Sequence, residues 1–154
     1  MDETNLAKAV ALTLAAEEGA LQFASGAERL TGRLISNDGS RWMIALLSEQ
    51  ASQVAHLKRF EAGMQQLIEQ AQVIQGDAGG RLALAIAFDS TLTGERNSYR
   101  RALKKYSNSI VFEDVGIHLL LISQRRGSEL VKPNEVNVYL AELDEHIARG
   151  RRRA

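Results

Sequence analysis

The chain is predicted to fold as a single α/β (α+β) domain, a three-stranded meander joined to a strand-helix-strand crossover unit and flanked by helices. Three observations predict it. Asn37-Asp38-Gly39-Ser40 carries the Asp-Gly pair of a tight hairpin, between the apolar runs Leu30 to Ile35 and Trp42 to Leu47. Leu82 to Ile86 is five residues without a polar member, the pattern of a strand covered on both faces. Between them the apolar period turns helical, with Val54, Leu57, Phe60, Met64, Leu67, Ile68 and Ala71 on one face.

The elements follow in order. Thr4 is placed to cap a helix running to about Glu18, with Leu6, Val10 and Leu14 at i, i+4, i+8 and Gly19 as its stop. Leu21-Gln22-Phe23 opens the meander, and a helix of about six turns spans Ser48 to Ile74. The break at Gly76-Asp77-Ala78-Gly79-Gly80 precedes the central strand. Thr93 caps a helix from about Gly94 to Tyr106, docked by Tyr99, Leu103 and Tyr106. Then Ile110 to Phe112 and Ile117 to Ile122 read as one bent strand, or a hairpin turning at Asp114-Val115-Gly116. The strand-helix-strand order predicts a right-handed parallel crossover. Pro133 suits the first turn of a last helix with Val136, Leu140, Leu143 and Ile147 facing inward. The domain takes residues 1–150, and 151–154 form a basic tail.

With 154 residues, 45% of them apolar and 25% charged, the chain has the composition of a globular protein with a real core. It contains no cysteine, which removes disulfides, thiolate metal sites and a cysteine nucleophile. Asp2, Glu3 and Lys8 break the pattern of a signal peptide, and no apolar run, Ile117 to Ile122 included, comes near the length of a membrane span. A cytoplasmic protein without a membrane segment is expected. Formal net charge is zero but unevenly spread: 7 basic and 11 acidic residues through Asp89, then 12 basic and 8 acidic from Ser90. The second half is therefore expected to face an anionic partner.

Three motifs carry chemistry on paper. Phe88-Asp89-Ser90-Thr91-Leu92-Thr93 resembles the strand-end signature of haloacid-dehalogenase-type phosphatases, but Ala87 stands where their nucleophilic aspartate belongs, so the covalent step is missing. Glu113 and Asp114 invite a metal-nuclease reading, yet Ser123-Gln124-Arg125 stands where a Glu-x-Lys would be needed. His56, His118 and His146 are widely spaced; Glu142 and His146 read as an intrahelical pair, and His118, within an apolar run, as a hydrogen-bonded core histidine. No catalytic residue, metal site or cofactor is expected.

The binding candidates are Arg96, Arg100, Arg101, Lys104 and Lys105. Arg96, Arg100 and Lys104 form an i, i+4 stripe beside Arg101 and Lys105, with Glu95 the only acid on that helix. Like charges at this spacing repel by a few tenths of a kcal/mol per pair unless an anion answers them. Such a stripe is either a phosphate-binding surface or a face paired with acids elsewhere in the fold. Only 5% of the chain is aromatic and the basic residues are not interleaved with aromatics, so a stacking platform for single strands is not expected.

From Leu82 to Ile122 the order of apolar strand, helix start Glu95-Arg96-Asn97-Ser98-Tyr99-Arg100-Arg101 and apolar strand resembles the small middle-component proteins of ABC-three-component, Lamassu-type antiphage defence systems, over about a quarter of the chain. That resemblance implies a non-enzymatic accessory subunit held between an SMC-like ATPase and an effector. The alternative is a small nucleic-acid-binding or degenerate nuclease-like protein that uses the basic helix 94–106.

Overall fold

A computed structural model describes residues 3–23, 30–48, 52–76, 80–87, 103, 111–123 and 127–142. One six-stranded mixed sheet organises them, its strands lying in sequence order. Strands β1 (Gln22–Phe23), β2 (Thr31–Ile35) and β3 (Arg41–Leu47) form the expected antiparallel meander. β4 (Gly80–Ala87) runs parallel to β3, and β5 (Ile117–Ser123) parallel to β4. β6 (Gly127–Val131), which the sequence reading did not anticipate, closes the other edge antiparallel to β5.

Strict alternation along the strands sorts the core into two layers. Met43, Ala45 and Leu47 of β3, Leu82, Leu84 and Ile86 of β4, and Leu119 and Leu121 of β5 point to one face. Helix α2 (Gln53–Gly76) covers them with Phe60, Met64, Leu67 and Ala71. Trp42, Ile44, Leu46, Ala83, Ala85, Leu120 and Ile122 point to the other face, where α1 (Glu3–Thr13) supplies Leu6, Val10 and Ala11, and Leu14 follows it. β4 is thus the central strand, buried on both faces from Leu82 to Ile86. Gly63 marks the closest approach of α2 to the sheet. A Cβ there would lie 3.2 Å from Ala45 Cβ and 3.4 Å from Leu47 Cδ2, which accounts for a glycine in mid-helix despite its cost of about 1 kcal/mol relative to alanine.

Three boundaries differ from expectation, and two of the differences have a visible local cause. α1 stops at Thr13 rather than near Glu18 because Ala15 turns left-handed, at φ +53°. The Ala16 N–H then reaches back to the Ala11 carbonyl at 2.8 Å and the Ala15 N–H to the Leu12 carbonyl at 3.2 Å, the bonding of a Schellman cap. α1 also begins at Glu3, so Thr4 lies inside it rather than capping it. α2 begins after Ser52 rather than at Ser48, since the Ser52 hydroxyl accepts the Ala55 N–H at 3.1 Å and so serves as its cap.

The largest correction concerns the segment read as a bent strand or hairpin. Residues Val111–Val115 form a short helix, α3, which buries Phe112 and ends at Gly116, φ +81°. Ile110 lies outside the described residues, and strand β5 begins at Ile117. After β6, Pro133–Glu135 is a 3-10 turn leading into helix α4 (136–142), which buries Val136 and Leu140 as expected. Leu143 and Ile147 lie outside the described residues.

Ala15 holds a conformation that L residues adopt at a cost of about 1–2 kcal/mol and glycine adopts freely. Ala15→Gly is therefore expected to raise the unfolding free energy by up to about 1 kcal/mol in urea titrations; a loss of stability would show that the Schellman turn does not end α1.

Candidate functional site

Arg96, Arg100, Arg101, Lys104 and Lys105 lie outside the described residues, as do Asp89 and His146. Of the helix predicted at 94–106, the structure describes Leu103 alone. It is helical and fully buried, in the layer with Phe60, Leu84 and Phe112, as a docking residue of that helix should be. Glu113 and Asp114 sit on α3 rather than at a strand end, and both are exposed. Among the described residues no three His, Asp or Glu side chains are placed to hold a metal ion. None of the described helices is long and apolar enough to cross a membrane.

The outer flank of α2 is a surface that the apolar pattern only partly revealed. Of the seven residues read onto its inner face, four are buried, while Val54 is 63%, Leu57 40% and Ile68 43% exposed. Val54 and Leu57 are one turn apart, and Ile68 follows Leu57 by three turns, so they share a stripe beside the buried one. Glu61 and Gln65, both exposed, lie between them. On the opposite flank of α2, a polar groove of about 620 Å³ separates the helix from β1 and β2, lined by residues including Phe23, Arg33 and Gln70. The Thr31 hydroxyl donates to Gln66 Oε1 at 2.8 Å at its base.

A second cluster gathers on the α1 face at the amino-terminal ends of the parallel strands. Register places Trp42 of β3 beside Arg81 of β4, and Ala83 beside His118 of β5. Ala83 carries only a methyl group, so the Trp42 ring lies across β4 and meets the His118 imidazole edge to face, with centroids 5.0 Å apart. The Arg81 guanidinium sits over the same indole, 5.5 Å from its centroid. His118 Nδ1–H donates to the Leu82 carbonyl at 3.1 Å, the core-histidine arrangement expected from sequence, and Nε2 is left as the protonation site. Burial pushes the imidazole below its ordinary value of 6.5, and the charges of Arg81 and Lys132 push the same way.

The hairpin between β2 and β3 adds one acid. Asp38 Oδ1 accepts the Ser36 hydroxyl and, at 2.9 Å, the Ser40 N–H; these bonds hold its carboxyl down at about 2, with Arg81 contributing. The turn is tied to the end of α1 by the Asn37 N–H, which donates to the Ala15 carbonyl at 2.8 Å.

Searches of protein families, curated proteins and solved structures return no match to this chain.

Both shifts fix a sign for the pH dependence of stability. His118 is neutral in the fold, so its contribution is complete above about pH 6.5 and is lost as pH falls through its depressed folded value. Asp38 contributes above its ordinary 3.8, and that contribution goes as pH falls through about 2. Urea midpoints are expected to decline from pH 7.5 to 5.5 in the parent and to decline less in His118→Gln. An equal decline in both would rule out His118 as the titrating group.

Proposed function

We propose that the protein is a non-enzymatic accessory subunit that works by docking onto other protein subunits through the outer flank of α2. The observation that carries this reading is the exposure of Val54, Leu57 and Ile68 on a helix whose neighbouring stripe is fully packed. Apolar side chains spaced at helical intervals along one flank are the anchors that a groove or a second helix on a partner accepts. The residues between them, Glu61 and Gln65, supply a polar component that fits a reversible or regulated contact better than a permanent core. The likeness of 82–122 to the middle components of ABC-three-component systems agrees with this role, and on that reading the partners are an SMC-like ATPase and an effector in a cytoplasmic antiphage assembly.

The second reading, a nucleic-acid-binding or degenerate nuclease-like protein, rests on the excess of 12 basic over 8 acidic residues from Ser90 onward. Filter binding of DNA and RNA at low salt tests it, and absence of binding there removes it, because phosphate-driven affinity is greatest at low ionic strength.

The first reading is tested with the triple variant Val54→Ser, Leu57→Ser, Ile68→Ser. Because these side chains are partly or largely exposed, each substitution is expected to cost about 0.5–1.5 kcal/mol, and the variant is expected to remain folded. It is expected to lose the subunits that co-purify with the parent from native cells. Unchanged co-purification in a folded variant would contradict the assignment of this flank.

A further inference from the structure

We propose that the amino-terminal edge of the parallel strands, on the α1 face, binds a dianionic phosphate group, held by Arg81 and Lys132 beside the His118 imidazole. Arg81 lies on β4, His118 on β5 and Lys132 directly after β6, and sheet register sets them on one face. Arg81 pairs with Trp42 across β3 and β4. Lys132 follows Val131, which pairs with Leu119, so it continues the β5–β6 ladder across from His118. Alternation puts Lys132 on the same face as Leu130, whose partner Leu120 belongs to the α1-side core with Trp42 and Ala83. Strand spacing sets the Cα positions of Arg81 and Lys132 about 10–12 Å apart, within the joint reach of two long side chains.

Among the described residues neither Arg81 nor Lys132 forms an ion pair, and both disfavour a charge on His118. The nearby carboxylate of Asp38 interacts with the Arg81 charge only through space, its hydrogen bonds coming from Ser36 and Ser40. Two cations on one face, beside a neutral imidazole, attract a compact anion. The indole holds the Arg81 guanidinium on this face, 5.5 Å from its centroid, and a guanidinium there can offer two N–H groups to one oxyanion. Trp42 itself is only 3% exposed, so it offers no face on which a base could stack. The chemistry therefore fits an isolated terminal phosphate rather than a strand of nucleic acid.

Trp42 is the chain's single tryptophan, so its fluorescence reports on this site alone. The full chain is titrated with inorganic phosphate at low ionic strength and, separately, with chloride at matched ionic strength. The expected result is a saturable change in emission with phosphate that chloride does not reproduce, its midpoint moving about tenfold or more to weaker binding in Arg81→Gln and in Lys132→Gln. Thermal unfolding without phosphate verifies that both variants fold, and Arg33→Gln, in the groove on the other face, is expected to leave the midpoint unchanged. A response equal to that of chloride, or one that survives in the folded Arg81→Gln, Lys132→Gln double variant, would overturn the proposal.

Discussion

β4 has no solvent-facing side between Leu82 and Ile86, and the surrounding structure follows from the need to cover it twice. Its large residues, Leu82, Leu84 and Ile86, lie under α2, and each contributes about 1.5–3 kcal/mol through burial. Its small ones, Ala83 and Ala85, lie toward α1, a helix itself rich in alanine, which can approach closely. The same smallness at Ala83 leaves the space in which Trp42 crosses to His118. Parallel neighbours on both sides demand long crossovers, and α2 between β3 and β4 is one of them. With β4 fixed, the edges are left to the antiparallel strands: β1 and β2 beyond β3, and β6 beyond β5.

Elements with a strong period or a diagnostic turn were legible from the residues. The Asp-Gly hairpin, the short apolar runs of β2 and β3, the unbroken apolar run of β4 and the helical period of α2 each carry their own signal, and all four elements are present, α2 with a later start and a narrower buried face. What escaped is instructive because the signals there were weak or contrary. The stop of α1 uses an alanine where a Schellman cap normally announces itself with glycine, so Gly19 was a more attractive terminator than Ala15. Val111-Phe112 has the composition of a strand, yet tertiary context makes it a single helical turn that buries Phe112. β6 reads Gly-Ser-Glu-Leu-Val, with too little alternation to stand out, and is a strand because β5 offers it an edge.

Function was less legible than fold for a physical reason. The helical period placed Val54, Leu57 and Ile68 with the core, because a pattern cannot say how wide a stripe the sheet will cover; the sheet covers Phe60, Met64, Leu67 and Ala71 and leaves the rest to water or a partner. The cluster of Trp42, Arg81, His118 and Lys132 was invisible for a different reason. Its members are up to 90 positions apart along the chain, and only the β3–β4–β5–β6 register brings them onto one face.

Every one of these placements depends on β4 lying at the centre of the sheet. Amide hydrogen exchange followed by NMR measures that most directly, since a strand paired on both sides and buried on both faces opens only when the whole fold does. The amides of Leu82 to Ile86 are expected to exchange at the slowest rate in the chain, with a free energy equal to that of global unfolding, while those of β1 and β6 exchange through local opening. Exchange of the β4 amides as fast as those of β6 would contradict the account.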